Sequence, residues 1–369
     1  MTDRPIPTEL LHWTQAALAE ALHAGGLGAH SGEHHEHAIL NSSVQLRVIA
    51  GDASSRRYFR VQWDGASYIV VEAPPATENN EAFVMVREIL HVAGVKVPRI
   101  YALDYKCGYL LLEDLGDRTL LPELNNSTVD AYYKAALAVL GEIASVDVTR
   151  QLLAPYDSAL LSEELGHFPT WFVEALLGYS LADEERQLIQ RFNTALVDSA
   201  LEQPRVLVHR DFHSRNLMLQ PSNELAVIDF QDAVVGPVSY DLVSLLRDCY
   251  IRWPEERVQS WALAYLSQLQ EKGRLLNVDD DQFLHWFDWM GLQRHIKVLG
   301  IFARLYLRDG KPGYLDDLPR VIAYVEDILQ KYAGEQPVFA EFQAWFQERL
   351  SPLIARQNWA NMPRECPRA

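Results

Sequence analysis

His209-Arg210-Asp211-Phe212-His213-Ser214-Arg215-Asn216, followed downstream by Val227-Ile228-Asp229-Phe230, is the stretch on which the reading of this chain turns. Between the two lie short apolar runs, Leu217-Met218-Leu219 and Leu225-Ala226-Val227-Ile228, flanking the turn formers Pro221-Ser222-Asn223. That order predicts a β-hairpin. With the turn centred on Ser222 and Asn223, antiparallel pairing sets Asn216 opposite Asp229, and directly opposed residues share one face of a sheet. An amide oxygen and a carboxylate oxygen then converge at the hairpin's open end. Mg²⁺ suits such a site, because it takes one or two protein oxygens and completes its octahedron with water and substrate phosphates. Asn216 and Asp229 are therefore the expected metal ligands.

The pattern H-R-D-x-x-x-x-N with a later Asp is also how kinase folds carry phosphoryl transfer: the first Asp takes the acceptor hydroxyl's proton, and the Asn and second Asp hold the metal on the nucleotide phosphates. Asp211 fills the first role. ATP and Mg²⁺ are the expected cofactors, with Arg215 or Arg57 offsetting charge in the loose transition state. The expected fold class is α+β, a bilobal protein-kinase-like fold with a small β-rich lobe over 1–115 and a larger, mostly helical lobe over 116–369.

Hydrophobic periodicity agrees with that division. A leading amphipathic helix runs from Thr8 to a stop at Gly25-Gly26. Strands are expected at Val44–Ala50, Arg57–Trp63, Ser67–Ala73, Arg99–Leu103 and Tyr109–Leu112, with one helix, Glu81–Val92, between the third and fourth. Leu110-Leu111-Leu112-Glu113-Asp114-Leu115-Gly116 then leads out of the first lobe, where backbone groups of Glu113 and Leu115 either meet an adenine edge or belong to an ordinary buried strand leaving through a glycine turn. Beyond it the pattern is helical: Ser127 caps a helix to Ala144, and others cover Thr170–Tyr179, Asp183–Leu201, Glu255–Gln270, Asp281–Arg308, Leu318–Tyr332 and Phe339–Leu350. Strands interrupt only over 206–229, where Val206-Leu207-Val208 enters the Asp211 loop.

Composition bounds the partners. The 369 residues are ample for two lobes, and a net charge of -17 argues against nucleic acid, which needs a basic face that releases counterions. Cys107, Cys249 and Cys366 are odd in number and lack C-x-x-C spacing, so neither a disulfide framework nor a zinc site is indicated. The start has no signal-peptide organisation and no segment is a membrane span, which predicts a cytoplasmic protein, read here as a monomer. His30, His34, His35 and His37 fall in a polar stretch read as a solvated loop rather than a metal site.

With these residues and Gly236-Pro237-Val238-Ser239-Tyr240-Asp241-Leu242 in view, residues Gly51 to Leu307 resemble the aminoglycoside phosphotransferase and choline kinase superfamily. The resemblance implies that Asp241, with His209, braces the catalytic loop. No A-P-E segment follows Asp229, so a protein acceptor is not expected. Ala50-Gly51-Asp52-Ala53-Ser54-Ser55-Arg56-Arg57-Tyr58-Phe59-Arg60, Val71-Glu72-Ala73-Pro74-Pro75, Asp229 to Pro237 and Gln293 to Gly300 resemble, more narrowly, bacterial cell-wall sugar kinases acting on the anomeric hydroxyl of N-acetylmuramate and N-acetylglucosamine. That resemblance implies a place in peptidoglycan recycling. Other readings are a kinase of an aminoglycoside, choline or another amine, and a nucleotide-binding pseudokinase without turnover.

Two departures from the kinase pattern stand out. The phosphate loop has one glycine, Gly51, with Ser54 and Ser55 as further donors. The strand Ser67–Ala73 lacks the usual lysine, so Arg57 or Arg60 takes that role, unless each is a surface strand charge. For the sugar, helical geometry places Gln293, Lys297, Arg304 and Arg308 within an arc of about 60°. This face, with Arg294, His295 and Lys297, suits a sugar carboxylate, and Trp286 and Trp289 suit pyranose C–H faces; the opposite reading is a solvated face over core tryptophans. Asp232 either joins the metal, orients the sugar, or closes a turn.

Overall fold

Phe59, Val61 and Trp63 alternate with Arg60 and Gln62 along one strand, so one face is apolar and must be covered. The cover is the leading helix. In the computed structural model, which describes residues 5–23, 44–49 and 55–361, helix α1 (Thr8–His23) lays Leu10, Ala17, Leu18 and Ala21 against Phe59, Val61, Trp63, Tyr68, Val70, Tyr109 and Leu111. The sheet holds β1 (Arg47–Ile49), β2 (Arg57–Trp63), β3 (Ala66–Glu72), β4 (Ile100–Asp104) and β5 (Tyr109–Glu113), in the antiparallel order β1-β2-β3-β5-β4. Asp64 and Gly65 both take positive φ, 49° and 75°, the backbone that a tight β2–β3 hairpin requires. Helix α2 (Asn80–Val92) joins β3 to β4.

Two compact units result. One comprises the described residues up to Val92 with Lys96–Asp117 and Ala226–Gln231; the other comprises Ala93–Val95, Arg118–Leu225 and the described residues from Asp232 on. Division at 115 places Asp229 with the helical part, yet Val227 N–H donates to the Lys96 carbonyl (2.8 Å) and the Phe230 ring packs 4.9 Å from Phe83. Those contacts carry the segment into the sheet-containing unit.

The second unit is mostly helical: α3 (Val129–Ser145), α4 (Ser158–Leu165), a π-helical stretch (Phe168–Leu176), α5 (Asp183–Glu202), α6 (Tyr240–Leu246), α7 (Glu255–Glu271), α8 (Asp280–Leu307), α9 (Leu318–Tyr332), α10 (Pro337–Trp345) and the short α11 (Ser351–Ile354). Its strands are β6 (Arg205–Val208) and β9 (Val234–Pro237), which pair antiparallel, and β7 (Leu217–Leu219), which pairs with β8 (Leu225–Val227) in a hairpin whose register differs by one residue from expectation: the Gln220 amide donates to the Glu224 carbonyl and the Asn223 amide to the Gln220 carbonyl, so Asn216 comes opposite Ile228 rather than Asp229. Strand β9 lies beyond the expected 206–229 interval. The Ser127 cap is corrected as well: Asn125 accepts from the Ser127 and Thr128 amides, and the helix begins at Val129.

Helix α8 is buried almost continuously from Trp286 to Gly300. Gly300 permits a backbone crossing, since a Cβ there would lie 2.3 Å from the His167 carbonyl carbon and 2.6 Å from its oxygen. Both atoms are main chain and cannot yield. Gly300→Ala is therefore expected to lower stability by about 2 kcal/mol or more. Urea denaturation reads the loss, and an unchanged midpoint would show that the crossing is not tight. Among the described residues, no helix is long and apolar enough to cross a membrane.

Candidate active site

The loop after β6 is held almost entirely by main-chain hydrogen bonds. The Asp241 carboxylate accepts from the amides of His209 (2.6 Å) and Arg210 (3.0 Å). Asp211 N–H donates to His209 Nδ1 (3.2 Å), which therefore acts as the acceptor nitrogen of that ring. The Asp211 carbonyl accepts from His213 N–H and from Asn216 Nδ2, each at 3.0 Å. Asn216 thus has its amide orientation fixed, with Oδ1 as its acceptor atom. Arg210 pays for the turn with a φ of 77°, uncommon for a side chain of that size.

Sequence reasoning missed a second brace. Buried Asp248 accepts through Oδ2 from the Ser214 amide (3.0 Å) and hydroxyl, and through Oδ1 from the Tyr250 amide (3.0 Å). The one sequence signal was an Arg247-Asp248 pair closing an otherwise apolar run. Arg215 is exposed and lies 3.5 Å over the Tyr250 ring.

Burial pushes Asp211 upward, but His213, the Lys297 and Arg294 cations and His209 favour its charged form more strongly and hold the carboxyl below its ordinary range. It is an ionised acceptor. Burial pushes Asp241 up to about 7, opposed by its two amide donors and aided by the Asp211 charge. Beside them lies a buried charged set: Glu164 accepts from Arg210 Nη2 (2.6 Å), Lys297 Nζ (2.8 Å) and the Tyr156 hydroxyl, and Lys297 also donates to the Tyr240 hydroxyl (2.9 Å).

Several expected contacts need correction. Arg57 pairs with Glu72, its partner across the β2–β3 ladder. Arg60 bonds Asp114 (2.6 Å) and Asp117 (2.8 Å), so two carboxylates already occupy its guanidinium. The Ser55 hydroxyl donates to Thr77 and Glu78 rather than standing open as a phosphate donor. The Glu113 amide is used by the Arg99 carbonyl (2.8 Å) and its side chain by Lys96 (2.7 Å), which removes that N–H from any adenine edge; Leu115 is buried. Gly51, Ser54 and the His30–His37 stretch lie outside the described residues.

The proposed sugar face is mostly interior. Trp286 is buried and donates to Glu202 (2.6 Å), while Trp289 packs 4.5 Å from Phe339. Arg294 is buried against the Ser244 hydroxyl (2.6 Å) and Cys249. His295 stacks on Tyr324 at 4.6 Å and meets the Arg247 carbonyl through Nε2 at 3.0 Å. These four are packing residues, because α8 crosses the interior and leaves no solvated stripe there. Lys297 is bound up with Glu164, and Asp232 is exposed, with its carbonyl accepting from Arg210 (3.3 Å).

A carbonyl can only accept, so His295 carries a proton on Nε2. Burial pushes its pKa down to about 3. The unfolded chain therefore takes up this proton first, and stability on the order of a few kcal/mol, fully present above about pH 6.5, is lost as pH falls towards 3. His295→Gln keeps a donor for Arg247 without the ionisation. Between pH 7 and 4 the melting temperature should fall more steeply for wild type than for H295Q, and parallel curves would refute the assignment.

The two expected metal ligands fall in different units, Asn216 in the helical one and Asp229 with the sheet. Asp229 has a φ of 63° and accepts from Gln231 Nε2 (2.8 Å) through Oδ1. Each of the two is a hard oxygen donor of the kind that Mg²⁺ takes. Among the described residues there is no group of three or more His, Cys, Asp and Glu that would suit a zinc-like ion.

Comparison with known proteins agrees with this chemistry. Residues 45–276 match the phosphotransferase enzyme family. The N-acetylmuramate/N-acetylglucosamine kinase of Pseudomonas aeruginosa is 47% identical over 288 residues, covering 78% of this chain and 85% of that protein. Its namesake in Pseudomonas putida is 43% identical over 296 residues, covering 80% and 86%. Among solved structures, the choline kinase LicA of Streptococcus pneumoniae superposes with a TM-score of 0.56 at 17% identity, over 80% of this chain and 100% of that one. At that identity the likeness is one of fold: a kinase-like architecture with an antiparallel sheet followed by a helical part.

Proposed function

The chain belongs to the phosphotransferase enzyme family, and on that footing we propose that it transfers the γ-phosphoryl group of ATP to the anomeric hydroxyl of N-acetylmuramate or N-acetylglucosamine. The names of the Pseudomonas relatives support the choice of sugar. The observation that carries the reading within this chain is the loop around Asp211: its main chain is pinned by His209, His213 and Asn216, which leaves the carboxylate as an acceptor for a hydroxyl.

Asp211 accepts the hydrogen bond of the acceptor hydroxyl and takes its proton as the oxygen attacks phosphorus. Its backbone, pinned by His209, His213 and Asn216, fixes the direction from which that oxygen approaches. Asn216 Oδ1 and Asp229 would hold Mg²⁺, which when bound neutralises charge on the nucleotide phosphates. Asp241 and Asp248 keep the two halves of the loop in register. Arg215 on the loop's exposed side lends positive charge.

The product of the proposed reaction is a sugar 1-phosphate, a form that nucleotidyl transfer consumes, and the reading is completed by peptidoglycan recycling as the setting, the cytoplasm as the compartment and a monomer as the working form. Phosphorus NMR of the product from a panel of free sugars tests this. The expected spectrum shows phosphate on C1 of the amino sugars, seen in the P–H coupling. Phosphorylation of kanamycin or choline alone would overturn the acceptor, and the absence of turnover on any acceptor would indicate a pseudokinase.

A further inference from the structure

The third strand of this sheet carries no lysine, and the two arginines expected in its stead are occupied elsewhere, by Glu72 and by Asp114 with Asp117. The pairing register points to another cation. Tyr58 lies opposite Val71 and Arg57 opposite Glu72, so one further step sets Arg56 opposite Ala73. By the two-residue period of a strand, Arg56, Tyr58, Val71 and Ala73 share the face turned away from the α1 core. Ala73 has only a methyl group at that place; the long side chain stands across from it, on the neighbouring strand's edge.

The surroundings of Arg56 are those of a built cation site. Its side chain is only 3% exposed and pairs through Nε with Glu78 at 3.2 Å. The guanidinium lies 5.5 Å over the Phe83 ring, and Phe83 packs on Phe230, the residue after Asp229. Burial pushes the Tyr58 hydroxyl up to about 12 against the pull of Arg56, with Asp229 and Glu78 adding to the rise, so all four groups share one neighbourhood. Glu78 is itself tied to the Ser55 hydroxyl, which links the end of the β1–β2 loop to the start of α2.

We propose that Arg56, oriented by Glu78, grips the α- and β-phosphates of the bound nucleotide in place of the lysine that kinase folds carry on the third strand. The inference rests on the phosphotransfer reading above. A lysine–glutamate pair is thereby exchanged for an arginine–glutamate pair reached from the adjacent strand, and the planar fork can meet two phosphate oxygens at once.

Calorimetric titration of the full chain with ATP, ADP and adenosine in the presence of Mg²⁺ decides it. Arg56→Met should weaken ATP and ADP by about 10- to 100-fold and leave adenosine unchanged, the loss expected for one bidentate charged contact. ATP affinity within about twofold of wild type overturns the proposal, as does an equal loss of adenosine, which would mean a collapsed pocket. Should R56M not fold, Arg56→Gln, which keeps a donor for Glu78 without the charge, serves: weaker ATP with unchanged adenosine supports the proposal, and unchanged ATP overturns it. The parent reading fails separately. Wild type that binds ATP through Arg56 yet phosphorylates no sugar sinks the function alone, whereas active wild type with a normal R56M sinks this inference alone.

Discussion

Asp211→Asn lowers kcat by about 10²–10⁴-fold, with little change in the KM for the nucleotide. The substitution is almost isosteric, and every hydrogen bond that shapes the loop at this position is made by the Asp211 main chain: its amide to His209, and its carbonyl to His213 and Asn216. The fold therefore survives and only the acceptor chemistry changes. An amide cannot take the proton of the sugar hydroxyl, and its NH₂ group presents a donor where an acceptor is needed. Removing the charge also relieves part of the upward push on Asp241, so the pKa of that carboxyl should fall below about 7 in the variant. Steady-state kinetics with N-acetylmuramate provides the check, and turnover near the wild-type value would remove Asp211 from the reaction.

Asp229→Asn acts on a different quantity. It should abolish most of the Mg²⁺-dependent part of ATP affinity, by about 10²-fold, while affinity measured in EDTA stays as in wild type. Asparagine is the residue best able to keep the left-handed backbone seen here, φ 63°, so the effect reports the lost charge rather than a displaced turn. Titration of ATP with and without metal separates the two. Equal weakening under both conditions would mean that Asp229 supports the pocket instead of the cation.

Much of this was legible from the sequence because its signals are local. The hairpin announces itself through Pro221-Ser222-Asn223 between apolar runs, and the sheet through alternation such as Phe59, Val61, Trp63. Partners distant in sequence were not legible. Asp248 reaches back 34 residues to Ser214, and Lys297 reaches 133 to Glu164; no periodicity encodes either. The α8 periodicity cannot say whether a side chain meets water or the interior, and here Tyr324 covers His295, Ser244 meets Arg294 and Glu164 pairs with Lys297. Arg57 and Arg60 were misassigned for a related reason: both are strand cations, and only the cross-strand register reveals that Glu72 neutralises one and the segment after β5 the other.

The unit that contains the sheet is completed by Ala226–Gln231, a segment more than a hundred residues past its nearest neighbour in the chain. During synthesis that unit must wait. Its strands β1 to β5 leave the ribosome early, but Val227 and Phe230 arrive only after Arg118–Leu225 has been made, so the amino-terminal piece lacks these contacts until then. A fragment cut at Asp117 would expose Phe83 and leave the Lys96 carbonyl unbonded, and a split-protein pair divided there would have to exchange the missing hexapeptide in trans before either half was whole.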